Sequence, residues 1–129
     1  MRSTPELATP TDSLRRVAEL IGYRDATALD PWVHARLAAL CLAMPSRHEE
    51  GVIEAFAFRL LSPTDPDAWR KWASAQLGEK QYEAALRSLE QYLALRGTTA
   101  PPDLEAARVV ESLRSLVRGE EAQRGLQRI

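Results

Sequence analysis

Apolar side chains recur along this chain at three- and four-residue intervals and not in alternation, so the pattern predicts a succession of amphipathic helices. Residues 66–97 show it most clearly. Trp69, Trp72, Ala73, Gln76 and Leu77 fall on one helical stripe. After a short turn, Tyr82, Ala85, Leu86, Leu89 and Leu93 fall on a second. The two stripes predict an antiparallel hairpin, with Ala73 and Ala85 where the backbones must approach closely. Upstream, Asp30-Pro31 and Asp65-Pro66 each set a capping carboxylate before a proline in the first helical turn, a strong start signal. The helix after Asp30 carries Val33, Leu37, Leu40, Cys41 and Met44, and Pro45 ends it. Ser46 and Glu49 have capping-box spacing for a next helix, which carries Val52, Ile53, Ala55, Phe56 and Leu60 and ends near Pro63.

The flanks follow the same logic. Residues 1–11 read as a flexible N-terminal arm. Thr11 or Asp12 caps a helix with Leu14, Val17, Ala18 and Ile21 on one face and Gly22 as its stop, and 23–30 connect it to the next start. Beyond Gly97 a Pro-rich turn leads into a helix over about 102–118 bearing Leu104, Ala107, Val110, Leu113 and Val117, with Gly119 as a stop. Glu120-Glu121 would open a last helix fragment, with Ala122, Leu126 and Ile129 as its apolar residues.

Moving 66–97 back by about 34 residues, one period of the commonest helix-turn-helix repeat, puts Trp69 on Ala35, Ala73 on Ala39, Ala85 on Gly51, Leu89 on Ala55 and Gly97 on Pro63. Ala106 and Ala107 take the matching positions one period later. The order Trp69-x2-Trp72-Ala73-x2-Gln76, then Ala85-x3-Leu89, resembles a tetratricopeptide repeat (TPR). Gln76, Tyr92 and Gly97 depart from that pattern. The resemblance implies an all-α, TPR-like stack of antiparallel hairpins, an α-solenoid, with hairpins at about 32–63 and 66–97. Helices at 12–21 and 102–118 would cap it, within a single domain over 12–129.

Composition narrows the function. The chain has 129 residues and a net charge of −1, which gives no electrostatic case for nucleic acid or an anionic membrane. No apolar run approaches the roughly 18–20 residues of a membrane span, and the N-terminus shows no hydrophobic signal region. One cysteine excludes an internal disulfide and fits a reducing compartment, so the expected location is cytoplasmic. His34 and His48 have no partner at metal-ligand spacing, Cys41 lies on an apolar stripe, and the glycines are scattered and not gathered in a phosphate loop. No set of residues assigns acid, base and nucleophile. The chain therefore reads as no enzyme, with no cofactor and no metal. Core packing accounts for Trp69 and Trp72, while Trp32 lies off its helix's stripe and is expected to be partly exposed.

The TPR resemblance implies that the first helices of successive hairpins line a concave groove that holds a protein or peptide. The groove positions are then Arg36, Leu40, Arg70, Ser74, Leu77 and Arg108: an apolar floor with three guanidinium groups, suited to a segment with apolar anchors and acidic residues. The clamp with which some TPR co-chaperones grip a terminal carboxylate is not expected, because Leu40 stands where its Asn would be. In length and layout the chain is also similar to the small TPR chaperones of bacterial type III secretion systems, most clearly over 65–96. That likeness implies a small chaperone or assembly adaptor. A permanent structural subunit of a larger machine would use the same surfaces. The short N-terminal helix must cover its apolar stripe, either on the first hairpin or on a second copy in a homodimer.

Overall fold

The structure is a computed structural model that describes residues 10–98 and 100–127. Among these there are six α-helices and no strand: α1 (Pro10–Ala26), α2 (Pro31–Leu42), α3 (His48–Leu61), α4 (Pro66–Gly78), α5 (Tyr82–Arg96) and α6 (Leu104–Gln127), with a 3₁₀ turn at Pro45–Arg47 before α3. The all-helical reading of the periodicity is therefore correct. The chain forms two compact units, one ending at Leu61 and the other beginning at Ser62. No described helix is long and apolar enough to cross a membrane. The expected N-terminal arm, apart from the start of α1, and Ile129 lie outside the described residues.

Both Asp-Pro starts form as expected. Asp30 accepts a hydrogen bond from the Trp32 backbone N–H at 3.0 Å and Asp65 one from Asp67 N–H at 2.9 Å, each with proline in the first turn. The second helices of the hairpins, α3 and α5, begin at His48 and Tyr82. Ser46 does not cap α3, because it sits within the 3₁₀ turn. Asp103 caps α6 by accepting from the Ala106 N–H at 3.0 Å.

In the first unit α1 and α3 pack with α2. Its core is Val17, Leu20, Val33, Leu37 and Cys41, with Ile21, Leu40 and Met44 against it. Three sequence expectations change here: the ends of α1, its buried face and the buried face of α3. Gly22 does not stop α1: a lone helical glycine costs only about 1 kcal/mol, and the helix continues to Ala26. Because α1 begins at Pro10, Asp12 lies inside the first turn, paired with Arg15 at 2.6 Å, and is not a cap. The buried face of α1 is also rotated, with Val17 and Leu20 inside while Leu14 is 45% exposed and Ala18 is exposed.

The third change concerns α3. Its buried stripe is Gly51, Glu54, Ala55 and Phe58, while Ile53, Phe56 and Leu60 are exposed. The apolar pattern chose the wrong face because the buried face contains a carboxylate and a glycine. Gly51 is there by necessity: a Cβ on it would lie 2.7 Å from the Leu42 backbone nitrogen and 2.9 Å from the Leu42 side chain.

In the second unit α4, α5 and α6 enclose Ala73, Ala85, Leu86, Leu89, Tyr92, Ala106, Val110, Leu113 and Val117. Leu86 and Leu89 are buried as expected. Trp69 and Trp72 are only half-buried. Trp69 packs on this core from the side and donates its indole N–H to the Pro63 carbonyl at 2.7 Å. The α4–α5 turn contains Lys80 at φ 59°, a left-handed conformation unusual for a residue with a Cβ. Gly119 does not end α6, which runs unbroken to Gln127. Nothing at Gly119 forces a left-handed turn, and the Glu, Ala, Gln and Arg around it favour helix. Glu120 and Glu121 therefore lie within a helix and not at its start. Of the two alanines, Ala106 is buried and Ala107 exposed.

Candidate functional site

Among the described residues each unit holds a buried polar cluster and at least one open cleft. In the first unit the cluster joins three helices. His34 on α2 places Nδ1 2.6 Å from Glu54 Oε1 on α3 and donates from Nε2 to the Ala28 carbonyl oxygen at 2.6 Å. Arg24, on the stretch of α1 beyond Gly22, donates to Glu54 Oε2 at 2.7 Å. His34 and Glu54 are 6% and 5% exposed, so each depends on these partners for its hydrogen bonds. The Glu54 contact raises the Arg24 pKa further above its already high ordinary value. Arg24 also pairs with Asp25 at 3.3 Å, so the cluster extends to the end of α1.

Cys41 is fully buried in the same unit. Burial, followed by the nearby Glu50 charge, pushes its thiol pKa up, away from the thiolate a nucleophile needs. Among the described residues no three His, Cys, Asp or Glu side chains gather in a way that could hold a metal ion.

The open cleft of this unit lies between α1 and α2 and has a volume of about 520 Å³. Leu20, Ala39 and Leu40 line it together with Trp32, and Asp12, Arg15, Arg16, Glu19 and Arg36 surround them. Trp32 is 49% exposed and is fixed from two sides. The Tyr23 ring meets it edge-on at 5.6 Å, and the Arg36 guanidinium lies 5.7 Å from its ring centroid. Tyr23 is held in turn by donating its hydroxyl to Asp30 at 3.0 Å.

In the second unit the buried cluster is neutral. With its carboxamide oriented to satisfy both ends, Gln76 donates to Ser88 Oγ at 2.6 Å and to the Ala84 carbonyl at 3.2 Å, and accepts from the Trp72 indole N–H at 3.1 Å. This explains why an amide replaces the large apolar residue of the repeat pattern: it ties α4 to α5. Tyr92, the second departure from that pattern, donates its hydroxyl to Asp103 at 2.5 Å. That bond and the Ala106 N–H hold the Asp103 carboxyl below the usual carboxylate range. Burial, then the bond to Asp103, raises the Tyr92 phenol.

In the second unit one cleft, about 280 Å³, is lined by polar residues that include Lys80, Glu83, Glu120 and Arg124, and the cleft that holds sequence-predicted residues, about 150 Å³, opens beside α4, α5 and α6. Arg70, Ala73, Ser74, Leu77, Leu89, Asp103, Glu105, Ala106 and Val109 line it. Arg70 is paired with Asp67 at 3.1 Å, and Asp67 also accepts from Lys71 at 2.7 Å. Burial pushes the Asp67 carboxyl up, but these two cations outweigh it, and the net shift is downward.

The six sequence-predicted groove residues thus fall into two sets. Arg36 and Leu40 share the α1–α2 cleft with Trp32, and Arg70, Ser74 and Leu77 share the second one. Arg108, exposed on α6 next to Val109, does not line that cleft. Arg16, Leu20 and Trp32 are the site residues that the hydrophobic pattern missed. Trp32 and Arg36 stand at i and i+4, a spacing at which helical side chains meet, so that part was legible.

No protein-family model matches the chain, and no curated protein is significantly similar to it.

Proposed function

We propose that the chain is a non-catalytic, TPR-like binding module of the cytoplasm that holds a protein or peptide segment. It would act as a small chaperone or assembly adaptor, of the kind that serves bacterial secretion systems. The observation that carries this reading is the α1–α2 cleft, where an apolar floor and a half-exposed tryptophan lie under arginines. That combination suits recognition better than chemistry, since the buried titratable groups His34, Glu54 and Cys41 all serve packing. The second cleft presents Arg70, Ser74 and Leu77 beside Asp103 and Glu105.

The test uses the tagged chain in its native host with in-cell crosslinking, followed by identification of what is captured. The Arg36→Glu, Arg70→Glu double variant should lose the captured protein while keeping its helicity and Tm. Capture at wild-type yield by that variant would discard the groove residues. A second reading, a permanent structural subunit, is favoured by the exposed Ile53, Phe56 and Leu60 on α3, at 64%, 41% and 57%. On that reading the chain purifies only in a stoichiometric complex that survives high salt, and Ile53→Glu disrupts it.

A further inference from the structure

We propose that the α1–α2 cleft is the docking site for a partner segment that pairs large apolar anchors with carboxylates. The inference rests on the binding-module reading and commits it to one cleft and one chemistry.

Open charge beside an exposed tryptophan and an apolar floor distinguishes this cleft. Six described arginines are paired with a carboxylate: Arg15 with Asp12, Arg24 with Glu54, Arg47 with Glu50, Arg70 with Asp67, Arg87 with Glu83 and Arg114 with Glu90. Arg16 and Arg36 form no ion pair among the described residues, yet both line the same cleft, with Glu19 as the opposing charge outside the Arg15–Asp12 pair. Two open guanidinium groups against one carboxylate leave the rim short of negative charge, and a partner carboxylate supplies it. Arg36 is already positioned, because it stacks on Trp32, so little freedom is lost when it binds.

The floor sets the other half of the partner. About 520 Å³ is within the range of sites that take large apolar side chains. Trp32, pinned by Tyr23, offers a rigid aromatic wall at low entropic cost. The second cleft lacks this complement. It is smaller, its arginine is occupied by Asp67, and Asp103 and Glu105 add negative charge. An acidic segment therefore prefers the first.

The probe is an acetylated ten-residue peptide in which Leu and Phe anchors are interspersed with Asp and Glu. Two controls accompany it, one with Lys for every acid and one with Ala for every anchor. Titrated into the full chain under NMR, the acidic peptide should shift the Trp32 indole and the Ala39 and Leu40 amides. Both controls should bind at least about tenfold more weakly. Arg16→Glu with Arg36→Glu should weaken the acidic peptide by a similar factor with Tm unchanged, since both side chains are exposed, whereas Arg70→Glu should not.

Equal binding of the Lys peptide, shifts centred on Ser74 and Leu77, or no shift at millimolar peptide would each overturn the proposal. So would a cleft filled by a second copy, seen as concentration-dependent mass, or by the chain's own N-terminus, seen as the same signals moving when residues 2–9 are removed. A host protein lost only through Arg70→Glu would keep the binding-module reading and discard this cleft, which separates the two failures.

Discussion

The two units solve one problem, joining antiparallel helices through a buried polar contact, with different chemistry. The first uses charge: Glu54 is buried between Arg24 and His34, and its carboxylate links three helices. The second uses a neutral amide, Gln76, between Trp72 and Ser88. The units also differ in backbone approach. At the aligned positions the first hairpin has Gly51 against the Leu42 backbone, while the second accommodates a fully buried Ala85. The lesson is that a helical hairpin does not fix the interactions inside it. The first hairpin needs a glycine at its close approach and holds an ionic cluster, and the second carries an alanine there and a neutral one.

The largest expected effect tests the charged cluster. Glu54→Ala leaves His34 and Arg24 without their shared partner and should cost roughly 3–5 kcal/mol, the scale for breaking a buried ion pair. Gln76→Ala, which unpairs only neutral groups, should cost about 1–3 kcal/mol. Hydrogen exchange on the α2–α3 and α4–α5 amides assigns each loss to its unit. Equal costs would erase the contrast between the two designs.

The backbone difference comes next. Gly51→Ala should destabilise by about 1–3 kcal/mol, because the new methyl overlaps the Leu42 main chain. Ala85→Gly should cost about 1 kcal/mol from helix propensity and lost packing. A denaturant series in which Gly51→Ala is neutral would show that α2 and α3 can separate without penalty.

At the turn of the second hairpin, Lys80→Gly should stabilise by up to about 1 kcal/mol, since glycine takes the left-handed conformation without a Cβ clash. A drop in Tm would mean that the lysine side chain itself matters there.

The smallest effect concerns pH. The Asp103 carboxyl is held below its unfolded value by the Tyr92 hydroxyl and the Ala106 N–H. Its contribution is present above the unfolded carboxylate range, near ~3.9, and is lost as pH falls through the lower folded value. Asp103→Asn should therefore flatten the acid limb of the second unit's stability profile by lowering stability at neutral pH, and leave stability below the folded value nearly untouched. An unchanged acid limb would remove Asp103 from the account. The first unit's profile, read at α2 and α3, should not respond to this change.

Local chemistry determined much of this protein without a structure. The Asp-Pro pairs fix two helix starts because capping and proline geometry act within one turn. The apolar stripes of α2 and α5 were legible because the residues inside are mostly apolar, while α4 buries Ala68, Ala73, Ala75 and Gln76 and leaves Trp69 and Trp72 half-buried. Trp32, off its stripe, was readable as exposed. The buried face of α3 was not, because Ile53, Phe56 and Leu60 outweigh Glu54 in any hydrophobic pattern. A carboxylate becomes an interior residue only once Arg24 and His34 arrive from two other helices. The same holds for Gly22 and Gly119, whose sequence signal is a helix stop and whose actual state is helix interior, since a stop needs a left-handed turn that no neighbour imposes. The cleft of Trp32, Arg16 and Arg36 depends on how α1 rotates over α2. That rotation is set by Val17 and Leu20 reaching the core, and only the packed structure decides it.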